Sequence, residues 1–292
     1  MTDTRQPAST QPAARSDIPD RRFPRAGEDA AVARAGLSTP QTESDAYRLA
    51  FQDTEFLLRE DLRPVRFQLE LLKPELVMAE AGVASTFVVY GSARIPSPEE
   101  AATMGDTDDP IVRSLAAKAK HYAEARELGR LASSAGLDDE QGRHFVVCTG
   151  GGPSIMEAAN RGAQDAGRES IGLNIVLPHE QAPNAYVTPD LSFQFHYFAL
   201  RKMHFLLRAR AVAVFPGGFG TMDETFELLT LIQTGKMQPI PIFLFGRNFW
   251  NRVVNFDALV AEGTVSEADM GLFRFVDTAA EAWEQTLAFY RG

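Results

Sequence analysis

Apolar residues along the chain fall into two kinds of pattern. Five short stretches are apolar almost throughout: "STFVVYGSA" at 85–93, "HFVVCTGGG" at 144–152, "SIGLNIVLP" at 170–178, "AVAVFPGG" at 211–218 and "PIPIFLFG" at 239–246. Runs this short and this apolar, bounded by Gly and Pro, predict strands buried on both faces. Between them, about 110–135, 153–167, 197–210, 221–235 and 248–262 repeat apolar positions at the spacing of an amphipathic helix. The alternation predicts a doubly wound α/β domain around a parallel sheet. Such sheets bind ligands at the carboxyl ends of strands where the strand order reverses, so the turns after Tyr90, Thr149, Val176 and Phe215 are expected on one rim.

Two segments precede this domain. From Asp45 to about Gly82 the pattern is helical, with Tyr47, Leu49, Phe51, Phe56, Leu57 and Leu58, then Phe67, Leu69, Leu71, Leu72 and Leu76, and with Pro64 and Pro74 as starts or kinks. Residues 45–82 are read as a helical extension that docks on the core or serves a subunit interface. Residues 1–44 mix Arg, Asp, Ser, Thr, Ala and Pro with few large apolar side chains, the composition of a disordered tail. The ligand-binding domain is expected over 83–292.

Composition narrows the chemistry. A chain of 292 residues, 45% hydrophobic and 23% charged, has enough apolar material for a substantial core. Its formal charge of -10 argues against tracking a phosphate backbone, so no nucleic-acid partner is expected. Cys148 is the only cysteine, which excludes an intrachain disulfide and a thiolate-rich metal site; the five scattered histidines include no His-Glu-x-x-His, and no metal is expected. No stretch of the sequence reads as a signal-peptide core or a membrane span, so a cytoplasmic location away from membranes is the default.

The chemistry concentrates where the fourth run ends, in "AVAVFPGGFGTMDETFELL" at 211–229. Gly217, Gly218 and Gly220 let a ligand approach bare backbone, and Thr221 is placed as the N-cap of the helix that follows. Free N–H groups and the positive end of the helix dipole suit an anion such as a phosphate. "TGGGPSIMEAAN" at 149–160 repeats the design with Gly150, Gly151 and Gly152, Pro153 or Ser154 opening the helix. Either turn could equally do no more than join a strand to a helix. Neither continues into G-x-G-x-x-G, and no G-x-x-x-x-G-K-[ST] occurs, which disfavours NAD enzymes and P-loop ATPases. Asp223 and Glu224 could simply complement the dipole, but a carboxylate beside a phosphate site also suits a sugar carbon that becomes oxocarbenium-like as its leaving group departs. In "FALRKMHFLLRARA" at 198–211, Arg201, His204 and Arg208 share one helical face; solvated surface is the expected fate of that stripe, with Arg201 the exception, placed to clamp a phosphate or hold a ribose. Met156 and the loop "PHEQAPNAY", with His179, Glu180 and Asn184, are candidates to line a base pocket.

"PGGFGTMDE" at 216–224, with "ALRKM" upstream at 199–203, resembles the paired signature of the Lonely Guy family, the cytokinin riboside 5'-monophosphate phosphoribohydrolases. The resemblance spans roughly 85–262 and is of the longer bacterial type. It implies a Rossmann-like domain, commonly a homodimer or higher homo-oligomer. It also implies hydrolysis of the N-glycosidic bond of a nucleoside 5'-monophosphate, AMP or an N6-modified AMP, to free base and ribose 5-phosphate, without a cofactor. It makes Arg201 and Glu224 the catalytic pair, Gly217, Gly218, Gly220 and Thr221 the phosphate turn, Gly151 and Gly152 a second wall, and Met156 and Lys202 further substrate contacts. Such sequences also carry an older label, lysine decarboxylase; Lys202, the one lysine near the motifs, follows an arginine on a helix and is a poor Schiff-base candidate. A nucleotide-binding sensor or carrier without turnover is the competing reading, since fold alone does not decide.

Overall fold

A computed structural model describes residues 23–104, 107–178 and 182–291. They fall into two compact units, meeting at Arg66 and Phe67. The first unit carries helix α1 (Ala26–Arg34), the short helix α2 (Thr54–Leu57) and single 3-10 turns. Composition read 1–44 as a tail; residues 1–22 lie outside the described residues, whereas Ala26–Arg34 is helical, its start held by Glu28, whose carboxylate accepts from the Arg25 N–H at 2.9 Å. Between 45 and 62 the apolar residues do not build an amphipathic helix: Tyr47, Phe51 and Leu58 are exposed on the short turns.

Helix α3 (Arg63–Glu80) crosses into the second unit, so the sheet-bearing unit begins inside the predicted extension. It continues as β1 (Thr86–Tyr90), α4 (Pro98–Thr103), α5 (Pro110–Ala116), α6 (Ala119–Ser134), β2 (Val146–Thr149), α7 (Ile155–Asp165), β3 (Ile171–Ile175) and β4 (Ser192–Phe195). Then come α8 (Phe198–Leu207), β5 (Ala209–Val214), α9 (Phe219–Gln233), β6 (Ile242–Phe245), α10 (Arg247–Val253), α11 (Phe256–Ala261), β7 (Arg274–Val276) and α12 (Ala279–Arg291). Every strand pairing is parallel, and the order is β4-β3-β2-β1-β5-β6-β7, a doubly wound sheet as expected. The order reverses between β1 and β5.

The five apolar runs are the five inner strands. The two edge strands escaped the pattern because they are short and, in "SFQF", only half-apolar. On one face Val88, Tyr90, Val212 and Val214 pack with Leu200, Phe205 and Leu228; on the other Phe87, Val89, Ala211 and Ala213 pack with Leu128, Ala159 and Trp283. The period of two in each strand therefore feeds two separate cores.

Pro74 has a structural consequence for that first face. It lacks the N–H that would bond the Glu70 carbonyl, and the His204 Nε2 lies 3.2 Å from this oxygen. The Glu70 carboxylate meanwhile accepts from the backbone N–H groups of His196 and Tyr197, at 2.9 and 3.2 Å, at the start of α8. At the far end Arg208 pairs with Glu75. The expected solvated stripe on α8 is thus replaced by a packed one: His204 is 3% exposed and Arg208 is largely covered, because α3 lies along them. Burial holds the His204 imidazole below its usual pKa.

Candidate active site

At the reversal point the chain after β1 and the chain after β5 are tied together. The Phe215 N–H donates to the Tyr90 carbonyl at 2.9 Å and the Ser92 N–H to the Pro216 carbonyl at 3.1 Å. A cleft of about 730 Å³ opens there, bordered by the 91–95 and 216–222 turns, Met156, Arg201 and Glu224. The topology thus puts the recess where doubly wound sheets hold ligands.

The glycine turn differs from its sequence reading in one respect. Helix α9 starts at Phe219 with Gly218 as N-cap, and no side chain caps it. Thr221 is instead inside the first turn, 5% exposed, its side chain packed so closely on Gly217 that a Cβ there would not fit. The helix begins earlier because Gly218 supplies the extended backbone a cap position needs. The N–H groups of Phe219, Gly220 and Thr221 have no acceptor within the helix, and all three residues border the cleft. No Cβ-sized obstacle stands near Gly218 or Gly220, so a bulky anion has room to approach.

Arg201 and Glu224 meet at this turn. An Arg201 Nη1 is 3.5 Å from Glu224 Oε1, and the two side chains are 11% and 14% exposed. Arg201 is held from three sides: its Nε donates to the Leu173 carbonyl at 2.7 Å, its guanidinium lies 5.2 Å from the Phe205 ring centre, and Gly150 leaves the space its Nη2 fills. A guanidinium fixed this way keeps its outer N–H groups aimed without further ordering cost. The Glu224 carboxyl is pushed up to about 7, chiefly because burial disfavours its charge, an effect that Arg201 opposes and Asp223 adds to.

The remaining sequence candidates divide. Met156, Gly217, Gly218, Gly220 and Thr221 border the cleft with the pair; Gly151, Gly152 and Lys202 do not. Gly151 packs against the Asn174 side chain and Gly152 against Met156, because β2 stands one strand away from the crevice between β1 and β5. The turn after Val176 is farther still, and its Asn184 reaches back to brace the Gly151 and Gly152 carbonyls at 3.2 and 2.9 Å. His179 and Glu180 lie outside the described residues. Lys202 points to α9, 3.1 Å from Asp223 and 3.2 Å from Glu227. Burial opposes its charge, but these carboxylates outweigh burial and raise its pKa. A Schiff-base lysine needs the opposite shift.

Several cleft residues had no sequence signal of their own. Ser92 and Arg94 stand in the "YGSARIP" turn, whose place on the rim follows from the strand pattern while its side chains belong to no motif. Leu115, Lys118, Phe249 and Val253 come from α5, the start of α6 and α10, and only tertiary packing brings them in.

A doubly wound domain with unpaired backbone N–H groups and a buried Arg–Glu pair lining a cleft at its switch point defines an α/β protein of the class that holds ligands where the strand order reverses. Comparison narrows this. Residues 156–286 match the family model described as possible lysine decarboxylase. The chain is similar to a probable cytokinin riboside 5'-monophosphate phosphoribohydrolase of Oryza sativa subsp. japonica, 26% identical over 162 residues, 54% of this chain and 66% of the relative. It is also similar to a pyrimidine/purine nucleotide 5'-monophosphate nucleosidase of Escherichia coli strain K12, 30% identical over 119 residues, 36% of this chain and 25% of that protein. A solved molybdenum cofactor binding protein from Rippkaea orientalis superposes with a TM-score of 0.43 at 18% identity, covering 70% of this chain and 98% of that one. Over this region the chain is thus similar to proteins named as cytokinin riboside 5'-monophosphate phosphoribohydrolases, the resemblance that the 216–224 motif carries. It spans just under two thirds of the length of the rice relative and a quarter of the bacterial one.

Proposed function

We propose that the protein hydrolyses the N-glycosidic bond of a purine nucleoside 5'-monophosphate, AMP or an N6-modified AMP, releasing free base and ribose 5-phosphate. The observation that carries this reading is the Arg201–Glu224 pair, 3.5 Å apart and largely buried, beside the exposed backbone of the 217–221 turn. The 5'-phosphate sits on the N–H groups at the start of α9, where the dipole favours it. Arg201 holds the sugar and phosphate. Ionised Glu224 faces C1' and stabilises the positive charge that develops as the C1'–N bond breaks. Water adds to C1' and gives one proton to Glu224, the C1'–N electron pair leaves with the base, and that proton passes on to the base nitrogen, which returns Glu224 to its carboxylate. Leu115, Phe249 and Val253 supply an apolar wall that suits a planar base.

The names of the relatives support a nucleotide substrate, and the Arg–Glu pair supports turnover over a carrier role. Further support for a homodimer comes from α3, whose Leu69, Leu72 and Leu76 are each more than half exposed along one helical stripe. The test incubates the protein with a panel of nucleoside monophosphates and separates free base from ribose 5-phosphate by chromatography. Glu224→Gln and Arg201→Ala should each abolish release in a folded protein; binding without release by the unaltered chain would make it a carrier.

A further inference from the structure

Beside the cleft lies a second recess, of about 230 Å³, lined by Ser114, Lys118, Lys120, His121, Arg252 and Asp277 among others. Lys118 and Phe249 border both spaces. Its charge is unusual for a chain of formal charge -10. Lys118, Lys120 and Arg252 converge on it, none in an ion pair with another described residue, against the single carboxylate of Asp277. Their position makes this costlier. Lys118 is the N-cap of α6, with no side-chain cap bond, and Lys120 stands in its first turn, which holds no acid. Cations at the positive end of a sixteen-residue helix are unfavourable unless something anionic joins them.

Two further observations point to a ligand. His121, 6% exposed, is among the residues that line it, and its Nδ1 has no hydrogen-bond partner among the described residues. The Lys118 Nζ donates to the Ser114 carbonyl and hydroxyl at 2.6 and 2.7 Å, which leaves its third N–H free. Burial, and after it the positive charge of Arg252, lower the Lys118 pKa.

We propose that this recess binds a phosphate-class anion, through Lys118, Lys120, Arg252 and the start of α6, at a site separate from the glycine turn. Free phosphate and the second phosphate of a larger nucleotide share this chemistry. Lys118 borders both spaces, so an anion here shares this lysine with whatever occupies the cleft.

The experiment compares the full chain with a Lys120→Ala/Arg252→Ala variant, whose altered residues are exposed and outside the cleft, and with Arg201→Ala. Crystals soaked in tungstate should show an anomalous peak between Lys118, Lys120 and Arg252, lost in the double variant and kept in Arg201→Ala. In solution, inorganic phosphate and adenosine 3',5'-bisphosphate are titrated in parallel. Loss of the charge-assisted bonds should weaken at least one probe by about tenfold or more in the double variant. A loss confined to the bisphosphate assigns the recess to a nucleotide's second phosphate; a loss for inorganic phosphate assigns it to the free ion. No peak at the recess, with both probes binding the double variant and the unaltered chain equally, overturns the proposal. None of these readouts depends on whether AMP is cleaved.

Discussion

Glu224 connects stability to acidity in a way that can be measured. A carboxyl that ionises at 4.5 when unfolded but near 7 when folded is bound to its proton more firmly in the native state. Between these values the native chain holds more protons than the unfolded one, so raising the pH through this window weakens the fold, and above 7 the loss is complete. The full effect is about 3 kcal/mol. Glu224→Gln keeps the shape and removes the titration, at the cost of leaving Arg201 without its anion, so a gain of about 1–3 kcal/mol at pH 8 is expected. At pH 5, where native Glu224 is neutral, the two proteins should differ by less than about 1 kcal/mol. Urea unfolding at both pH values reads this. Other groups titrate too: burial pushes His121 down to about 4, which makes stability rise with pH between there and its ordinary 6.5. The comparison is therefore variant against unaltered chain at each pH, which cancels that contribution. A variant that is no more stable at pH 8 than at pH 5, relative to the unaltered chain, would refute the burial argument. The same acidity predicts that hydrolysis declines below about pH 7, as Glu224 takes up its proton.

Other expectations follow from the same geometry. Gly150→Ala would place a Cβ 2.5 Å from Arg201 Nη2 and 2.9 Å from Met156 Sδ; both are side-chain ends that can give way, so stability should fall by no more than about 2 kcal/mol. The displaced guanidinium should cost about tenfold or more in kcat/KM for AMP. Lys202→Ala should keep turnover within about threefold, since its partners are carboxylates on the outer side of α9, and the purified protein should show no visible absorbance of lysine-bound pyridoxal phosphate. Leu72→Lys should shift sedimentation from dimer to monomer while the circular dichroism spectrum is kept, because this side chain is 51% exposed in the single chain and a lysine there can keep its charge in water.

Much of the fold was legible along the chain because a buried parallel strand must be apolar on both faces. This signal fails at the edges: "SFQF" has one covered face and Arg274–Val276 is three residues long, so neither reads as a run. The stretch 45–62 shows the converse. Apolar residues at helical spacing between 45 and 62 have no continuous helix on which that spacing could form a face.

The site divides along the same line. Sequence determined the backbone chemistry of 216–221 and named Arg201 and Glu224, because glycines, a guanidinium and a carboxylate keep their character wherever the chain carries them. Which groups meet was decided by the strand order. It places the ends of β1 and β5 side by side, brings Gly150 rather than Gly151 or Gly152 against Arg201, and turns Lys202 outward to Asp223 and Glu227. The acidity of Glu224 is likewise a property of burial. Covering a carboxylate is an event in three dimensions, and no arrangement of neighbours in sequence records it.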